Sequence, residues 1–443
     1  MLRRVFDRAE QSGAGVEIAQ ASFPSPFASG LEYSAPARGT WNIVHTGMLI
    51  PGAHQIFVCA QGCLRGVVLT AAEMGAEERF STIAIREHDV LDGDMVDLIV
   101  DGVSDILGKL PALPPAVLVY TSCIHHFMGC DLELAYRRLR ERFPGVDFTD
   151  CYMNPIMRKS GLNPDQLMRR QLYSLLKPRP LEEDKVALIG ADLALDDSCE
   201  LVRLVRESGH ELLDITYCRS YEEYQALAAA ATIITCQPAA IPSGDTLARR
   251  FGCRHLYLPQ SFDYEQTRQD LAQLAEALGT AAPDLTELRE KAEAALAEAR
   301  QEIGELPVAI DYTFHPRPLG LARLLLSHGF RVETVYADSF SGEEEADFRW
   351  LQQHHPGLQL CATVHHELRV LERTGAPLLA LGQKAAYFGG TDNFVNIVEG
   401  GGLYGCDGVI RLARLMREAV REKKDARSLI QIKGLGCTGG CCG

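Results

Sequence analysis

The sequence predicts an α/β chain of three Rossmann-like domains, each a parallel sheet with helices on both faces. Three observations point there. Short apolar segments alternate with amphipathic ones along most of the chain, and repeated βα units of that kind build parallel sheets. Several short segments, 116–121 most clearly, are apolar throughout, as strands covered on both faces are. The chain has 443 residues, 47% of them hydrophobic, enough for two or three cores of ordinary domain size.

Taken in order, residues 1–40 are rich in Ser, Ala, Gly and Pro and read as a short helix followed by an extended wrap. The first αβ series has a strand at 53–59, a loop at 60–63, a helix at 64–74 and a short strand at 82–85. A helix at 95–109, a strand at 116–121 and a helix at 131–143 with a basic outer face follow, the last ended by Pro144-Gly145. After the polar stretch 177–184 a second series runs strand 185–189, helix 198–208, strand 211–217, helix 221–231 and strand 232–235. It continues with helix 242–251, which has Pro242 and Ser243 at its start as helix starts prefer, strand 254–258 and the long Glu/Ala/Lys-rich helix 285–304. The third series is strand 307–312, helix 319–327, strand 331–337, helix 343–354, strands 358–363 and 378–381, and a closing helix at 409–421. The expected domains are 1–180, 181–304 and 305–427, with a Gly- and Cys-rich tail at 428–443.

Charge narrows the function classes. A net charge of -15 and a pI near 5.4 are the wrong sign for nucleic acid or an anionic membrane surface. The apolar runs are strand-length and broken by charge, so no bilayer span is expected. The basic first residues lead into acids instead of an apolar core, unlike a signal peptide. A cytoplasmic protein is the expectation, and in a reducing compartment its fourteen cysteines read as thiols or metal ligands.

Two stretches carry the chemistry. Ile56-Phe57-Val58-Cys59-Ala60-Gln61-Gly62-Cys63 and Val117-Leu118-Val119-Tyr120-Thr121-Ser122-Cys123 each read as an apolar strand running out into a turn that bears cysteine. Gly62 would let the backbone bend or pass close to a bulky group. Thiols at strand ends sit where open α/β sheets collect ligands. Cys59, Cys63 and Cys123 are either metal or redox groups or small buried hydrophobes, and spacing alone leaves both readings open.

With further short motifs, these residues resemble the component 1 family of nitrogenase-type reductases. That family includes nitrogenase, its cofactor-assembly scaffold, the dark-operative protochlorophyllide and chlorophyllide reductases, and the reductive cyclase of coenzyme F430 synthesis. Gly39-Thr40-Trp41 and Gly62-Cys63 match its Trp-bearing segment and its Gly-Cys strand end. Glu87-His88-Asp89 is similar to its Glu-Lys-Asp segment, and Thr121-Ser122-Cys123 with Gly129-Cys130-Asp131 to its Ser-x-Cys and Gly-Asp-Asp. Tyr404-Gly405-x-Asp407-Gly408 matches a run beside the family's active-site cavity. The resemblance covers roughly residues 35 to 420, most strongly in the first domain.

What it implies is a low-potential iron–sulfur reductase component. Cys63 and Cys123 are the inherited ligands of a cluster at a subunit interface, completed by a homodimer mate or a homologous second subunit. A separate ATP-dependent iron–sulfur reductase protein delivers electrons, and a small molecule is reduced. The alternative is a non-catalytic scaffold that assembles or carries a complex iron–sulfur cofactor. The family's third cysteine has no counterpart in Ser34-Ala35-Pro36-Ala37-Arg38, so Cys59 either supplies that thiolate or packs on its strand. Cys236, after Ile233-Ile234-Thr235, is either an ordinary strand-end cysteine or, as its resemblance to the anchor of nitrogenase's active-site cofactor implies, the mark of a second complex metal cluster. The partner histidine of nitrogenase has no counterpart in 389–394. Cys437, Cys441 and Cys442, on a Gly-rich tail, are either ligands able to fold back to that site, redox thiols or a loose end.

Further candidates are weaker in pattern. Arg158 and Lys159 either receive anionic groups or form a solvated turn. Gly401 and Gly402 precede a helix, where backbone N–H groups can hold an anion. His125 and His126 follow Cys123 directly, and either hydrogen-bond the cluster, carry protons or serve as ordinary structural histidines. No Walker A sequence is present.

Overall fold

A computed structural model of the chain describes residues 14–28, 30–33, 43–153, 161–369 and 375–430. The strands in chain order are β1 Gly15–Glu17, β2 His54–Ala60, β3 Phe80–Ile85, β4 Ala116–Ser122, β5 Asp147–Met153, β6 Glu182–Ile189 and β7 Glu211–Asp214. They continue with β8 Ala230–Thr235, β9 Arg254–Tyr257, β10 Val308–Asp311, β11 Val332–Tyr336, β12 Gln359–Cys361, β13 Leu379–Leu381 and β14 Phe394–Val395. Among the described residues they form three sheets, ordered β3-β2-β4-β5, β7-β6-β8-β9 and β1-β12-β11-β10-β13-β14. All pairings are parallel except that of β1 with β12. The fold class expected from periodicity is the one observed.

The chain divides into two compact units. One comprises Trp41–Ala194 and Gly209–Pro259, the other Met1–Thr40, Leu195–Ser208 and Gln260–Gly443. The first unit holds the two four-stranded sheets. Side chains alternate along β2, so Ile56 and Val58 join Ile99, Val100, Val103, Val117 and Val119 in one core, while Phe57 and Cys59 turn to the other face. There Phe57 stacks on Tyr120 with ring centroids 4.0 Å apart. Met168, Tyr173, Ala187, Tyr224 and Ile233 complete that core, which both sheets share.

The other unit holds the six-stranded sheet and, from the middle of the chain, the helix Glu200–Glu207. Glu200 is 3% exposed and aims its carboxylate at the start of the closing helix Gly405–Arg421. Oε1 accepts from the Cys406 N–H at 2.8 Å and the Asp407 N–H at 3.2 Å, satisfying donors that a helix start otherwise leaves free. Gly405 has no side chain for this reason: a Cβ there would lie 2.5 Å from Glu200 Oε2. Ser198 Oγ donates to Asp407 at 2.7 Å, and Arg411 donates to Asp196 at 2.6 Å and to the Gly401 carbonyl at 2.8 Å. At the end of β10, Asp311 is fully buried and accepts from Thr313 N–H at 2.8 Å and Ala385 N–H at 2.7 Å.

Several boundaries differ from expectation. The segment 60–63 is no loop, because the helix Gln61–Glu73 starts directly after β2. Gly62 is an ordinary helical residue, so the backbone argument made for it does not apply. The strand at 211–217 stops at Asp214, whose carboxylate accepts from Thr216 N–H at 2.8 Å and folds the chain into a 3-10 turn. The alanines at 230–231 favour helix on their own, but both are buried in β8. The closing helix starts at Gly405, earlier than 409, because Glu200 provides its cap. β5 was not foreseen, since Asp147 and Asp150 interrupt its apolar pattern. Nor were the helices Pro164–Leu172, Tyr264–Ala277 and Gln383–Gly389.

Glu344 generates a prediction about stability. It is 1% exposed, its Oε1 accepts from Leu319 N–H at 2.7 Å, and burial pushes its carboxyl up to about 8. A carboxyl raised in the folded state stays protonated there, so its contribution is whole below the unfolded value of 4.5 and is lost as pH climbs through 8. Wild-type unfolding free energy should therefore fall between about pH 5 and pH 9, by up to roughly 4–5 kcal/mol from this group. Glu344→Gln, which cannot ionise, should flatten the profile in urea titrations. Parallel wild-type and variant profiles would count against the assignment.

Candidate metal centre at the first sheet

β2 pairs with β3 on one side and β4 on the other, all parallel. The connections after β2 and β4 therefore leave to opposite sides, and a crevice opens at the carboxyl ends of these two strands. The sequence puts cysteine at both ends. Cys63 lies in the first turn of Gln61–Glu73 and is exposed, and Cys123 opens the short helix Cys123–Phe127 and is half-buried. The long helix directs its positive end to this crevice, which suits an anionic occupant.

Cys59 is placed differently. It is fully buried on β2, beside Ala84 of β3, and packs in the core with Phe57 and Tyr120. Burial, with Cys63 and Cys123 nearby, pushes its thiol from 9.0 up to about 12. Cys151 lies in the same core, and burial raises its thiol as well. Cys130 is half-buried, and Asp131 beside it caps the helix Leu132–Arg142 by accepting from Leu134 N–H at 2.9 Å.

His125 and His126 separate cleanly. His126 is exposed, whereas His125 is 1% exposed, and burial lowers its basicity. Its Nδ1 is 3.1 Å from the Ser122 N–H, and its Nε2 is buried with no hydrogen-bond partner among the described residues. Large apolar side chains stand in solvent along the same two helices. Phe127 is 70% and Met128 40% exposed just after Cys123, and Val68 and Leu69 are 42% and 43% exposed beyond Cys63. Among the described residues no three His, Cys, Asp or Glu side chains converge in a set able to hold a metal ion.

The other candidates lie elsewhere or outside the described residues. Arg158, Lys159, Cys437, Cys441 and Cys442 fall in segments the structure does not describe, as do Gly39, Thr40 and Trp41. Cys236 is buried just past β8, in the second sheet. That sheet has the same strand order, and the space beside the end of β6 is filled by an ion pair that sequence reading missed. Arg169, buried, donates to the Gly190 carbonyl at 2.5 Å and to Asp192 at 2.6 Å, while Tyr173 Oη accepts from Gly190 N–H at 2.6 Å. Asn163 and Pro164, which start the helix carrying Arg169, were the readable signal. Gly401 and Gly402 have φ of +51 and +84 and form a tight turn, but two N–H groups of the helix that follows are already bound by Glu200. The anion at this helix start is the chain's own carboxylate.

A polar cavity of about 460 Å³ in the other unit contains no cysteine. Three of its basic side chains are paired with carboxylates, Arg323 with Asp347 at 2.9 Å, His328 with Glu293 at 3.0 Å and Arg317 with Glu343, and Arg289 lies over the Tyr264 ring.

Comparison with known proteins decides the family. The family model of nitrogenase component 1 type oxidoreductases matches residues 44–413. The chain belongs to that family. Among solved structures it is similar to nitrogenase Cp1 at pH 6.5, with 14% identity, a TM-score of 0.66 and coverage of 89% of this chain and 94% of that one. It is also similar to nitrogenase Cp1 at pH 5, with 13% identity, a TM-score of 0.58 and coverage of 92% and 94%. No curated protein matches by sequence. Among the described residues no helix is long and apolar enough to cross a membrane. Nitrogenase component 1 type proteins bind iron–sulfur clusters and include both reductases and assembly scaffolds.

The thiols of this nitrogenase-like chain should differ sharply in reactivity. A rise from 9.0 to about 12 leaves Cys59 with about a thousandfold less thiolate at neutral pH. In metal-free protein, iodoacetamide should modify exposed Cys63 at least a hundredfold faster than Cys59, read by peptide mass spectrometry. Equal rates at the two positions would contradict the burial of Cys59.

Proposed function

We propose that this chain is the catalytic component of a nitrogenase-like reductase and that Cys63 and Cys123 hold its electron-relay iron–sulfur cluster. One observation carries the reading: an exposed thiol and a half-buried one follow the adjacent strands β2 and β4, and among the described residues no set of three metal-binding side chains forms with them. Two thiolates are too few for a cubane, which takes four. The missing ligands then come from a second subunit, either another copy of this chain or a homologue. The exposed Phe127, Met128, Val68 and Leu69 supply an apolar surface of the kind that subunit interfaces cover.

The donor set fits such a group. Sulfur ligands suit iron, Cys63 and Cys123 stand where helices begin, and Cys59, held protonated by burial, packs beneath them. When bound, the cluster supplies one-electron storage at low potential. Cys63 and Cys123 would hold it from this chain, and the partner subunit would supply the remaining ligands. Electrons would come from an ATP-dependent iron–sulfur reductase protein, and the reduced species would be a small molecule. A second complex metal cluster beside Cys236 remains part of this proposal, with the thiol's burial next to a strand end as its support. The scaffold alternative uses the same cysteines. Turnover with a reductase partner separates it from the catalytic reading.

Two measurements test the reading. Cys63→Ala and Cys123→Ala should each lose most iron and the cluster EPR signal in anaerobically purified protein, whereas Cys151→Ala should keep both. If both single variants keep wild-type iron and spectra, these residues are not ligands. Light scattering on cluster-loaded protein should give a mass well above the 48.7 kDa of one chain. Phe127→Asp should shift the protein toward monomer and lower its iron content together. A strict monomer with a full cluster would overturn the shared-ligand reading.

A further inference from the structure

Resting on the cluster reading above, we propose that His125 donates a hydrogen bond from Nε2 to a sulfur of the group held at Cys63 and Cys123, and so sets its reduction potential.

The argument starts from the tautomer. The Ser122 backbone N–H points at His125 Nδ1 at 3.1 Å, and a backbone N–H can only donate. Nδ1 is therefore the acceptor, and the ring is neutral with its proton on Nε2. The Ser122 hydroxyl, 3.4 Å from Nδ1, can donate to the same lone pair. The Ser122 carbonyl, 3.3 Å away, is then a neighbour without a proton to receive.

That leaves Nε2–H as a buried donor with no acceptor among the described residues, on a side chain 1% exposed. An unmet buried donor is costly, and native proteins seldom keep one without a reason. The location supplies the reason. The ring is folded back on Ser122, the residue directly before Cys123. A thiolate or sulfide bound at Cys123 would be an acceptor that the described residues lack. Hydrogen bonds to cluster sulfurs stabilise the more negative, reduced form and raise the potential. His126, though next in sequence, is exposed and has no such constraint.

The test uses cluster-loaded protein purified anaerobically, with EPR-monitored redox titration as its readout. His125→Phe fills the same space without a donor and should move the midpoint potential to a more negative value at unchanged iron content. His125→Gln, whose amide N–H reaches to the position of Nε2, should restore most of that change. His126→Ala should leave the potential at the wild-type value. Pulsed EPR on wild-type protein labelled with 15N-histidine should show weak coupling of one imidazole nitrogen to the cluster, a measurement that needs no variant to fold. A wild-type potential in His125→Phe at full iron content, or no 15N coupling in the wild type, overturns the role of His125 and leaves the cluster reading standing. A wild-type protein purified without iron or sulfide overturns both.

Discussion

The rest of this structure depends on one constraint of parallel sheets. Where two adjacent parallel strands send the connections that follow them in opposite directions along the sheet, the crossovers cover opposite faces and leave a crevice at the strands' carboxyl ends. β2, β6 and β10 are each one strand of such a pair in their sheets. The chain answers the same geometry in three chemical ways. At β2 it places thiols and an exposed apolar surface. At β6 it fills the space with Arg169, Asp192 and Tyr173. At β10 it buries Asp311, with Gly382 bare because a Cβ there would lie 2.3 Å from the carboxylate. At the second and third of these positions the polar groups are the protein's own.

What the sequence made legible follows from the range of each interaction. Helix 95–109 was readable to the residue because its buried stripe of Ile99, Val103 and Leu107 is a local pattern. The fully buried strand β4, the buried run of β2 and the buried second half of β6 were readable for the same reason. β5 was hidden because Asp147 and Asp150 break its apolar pattern, and Asp147 is satisfied by Tyr221, a partner 74 residues away that no local window weighs. The early start of the closing helix depends on a carboxylate 206 residues away.

The site was legible in part. Cys63 and Cys123 could be picked from strand-end position, and both lie in the first turn of the helix that follows their strand. The depth of Cys59 could not, because burial is set by the shared core of two sheets. Motifs that seemed chemical carry structural duties among the described residues. Asp89 accepts from Arg86 N–H at 2.7 Å, Asp131 caps its helix, and Tyr404-Gly405-x-Asp407-Gly408 is shaped to receive Glu200 and Ser198. The division between His125 and His126, adjacent and identical in type, is visible only in three dimensions.

Glu200 also has a bearing on the order in which this chain can mature. It is synthesised 206 residues before Cys406, the N–H it binds most closely. The unit made of Trp41–Ala194 and Gly209–Pro259 is complete on emergence of residue 259, while the helix it leaves out, Glu200–Glu207, still lacks its partner. Until residues 405–407 appear, its Glu200 carboxylate lacks the N–H groups it binds in the finished fold. The nascent protein therefore passes through a stage with one finished body and one unmatched helix. It is in that interval that a chaperone, or premature pairing with another chain, has its opening.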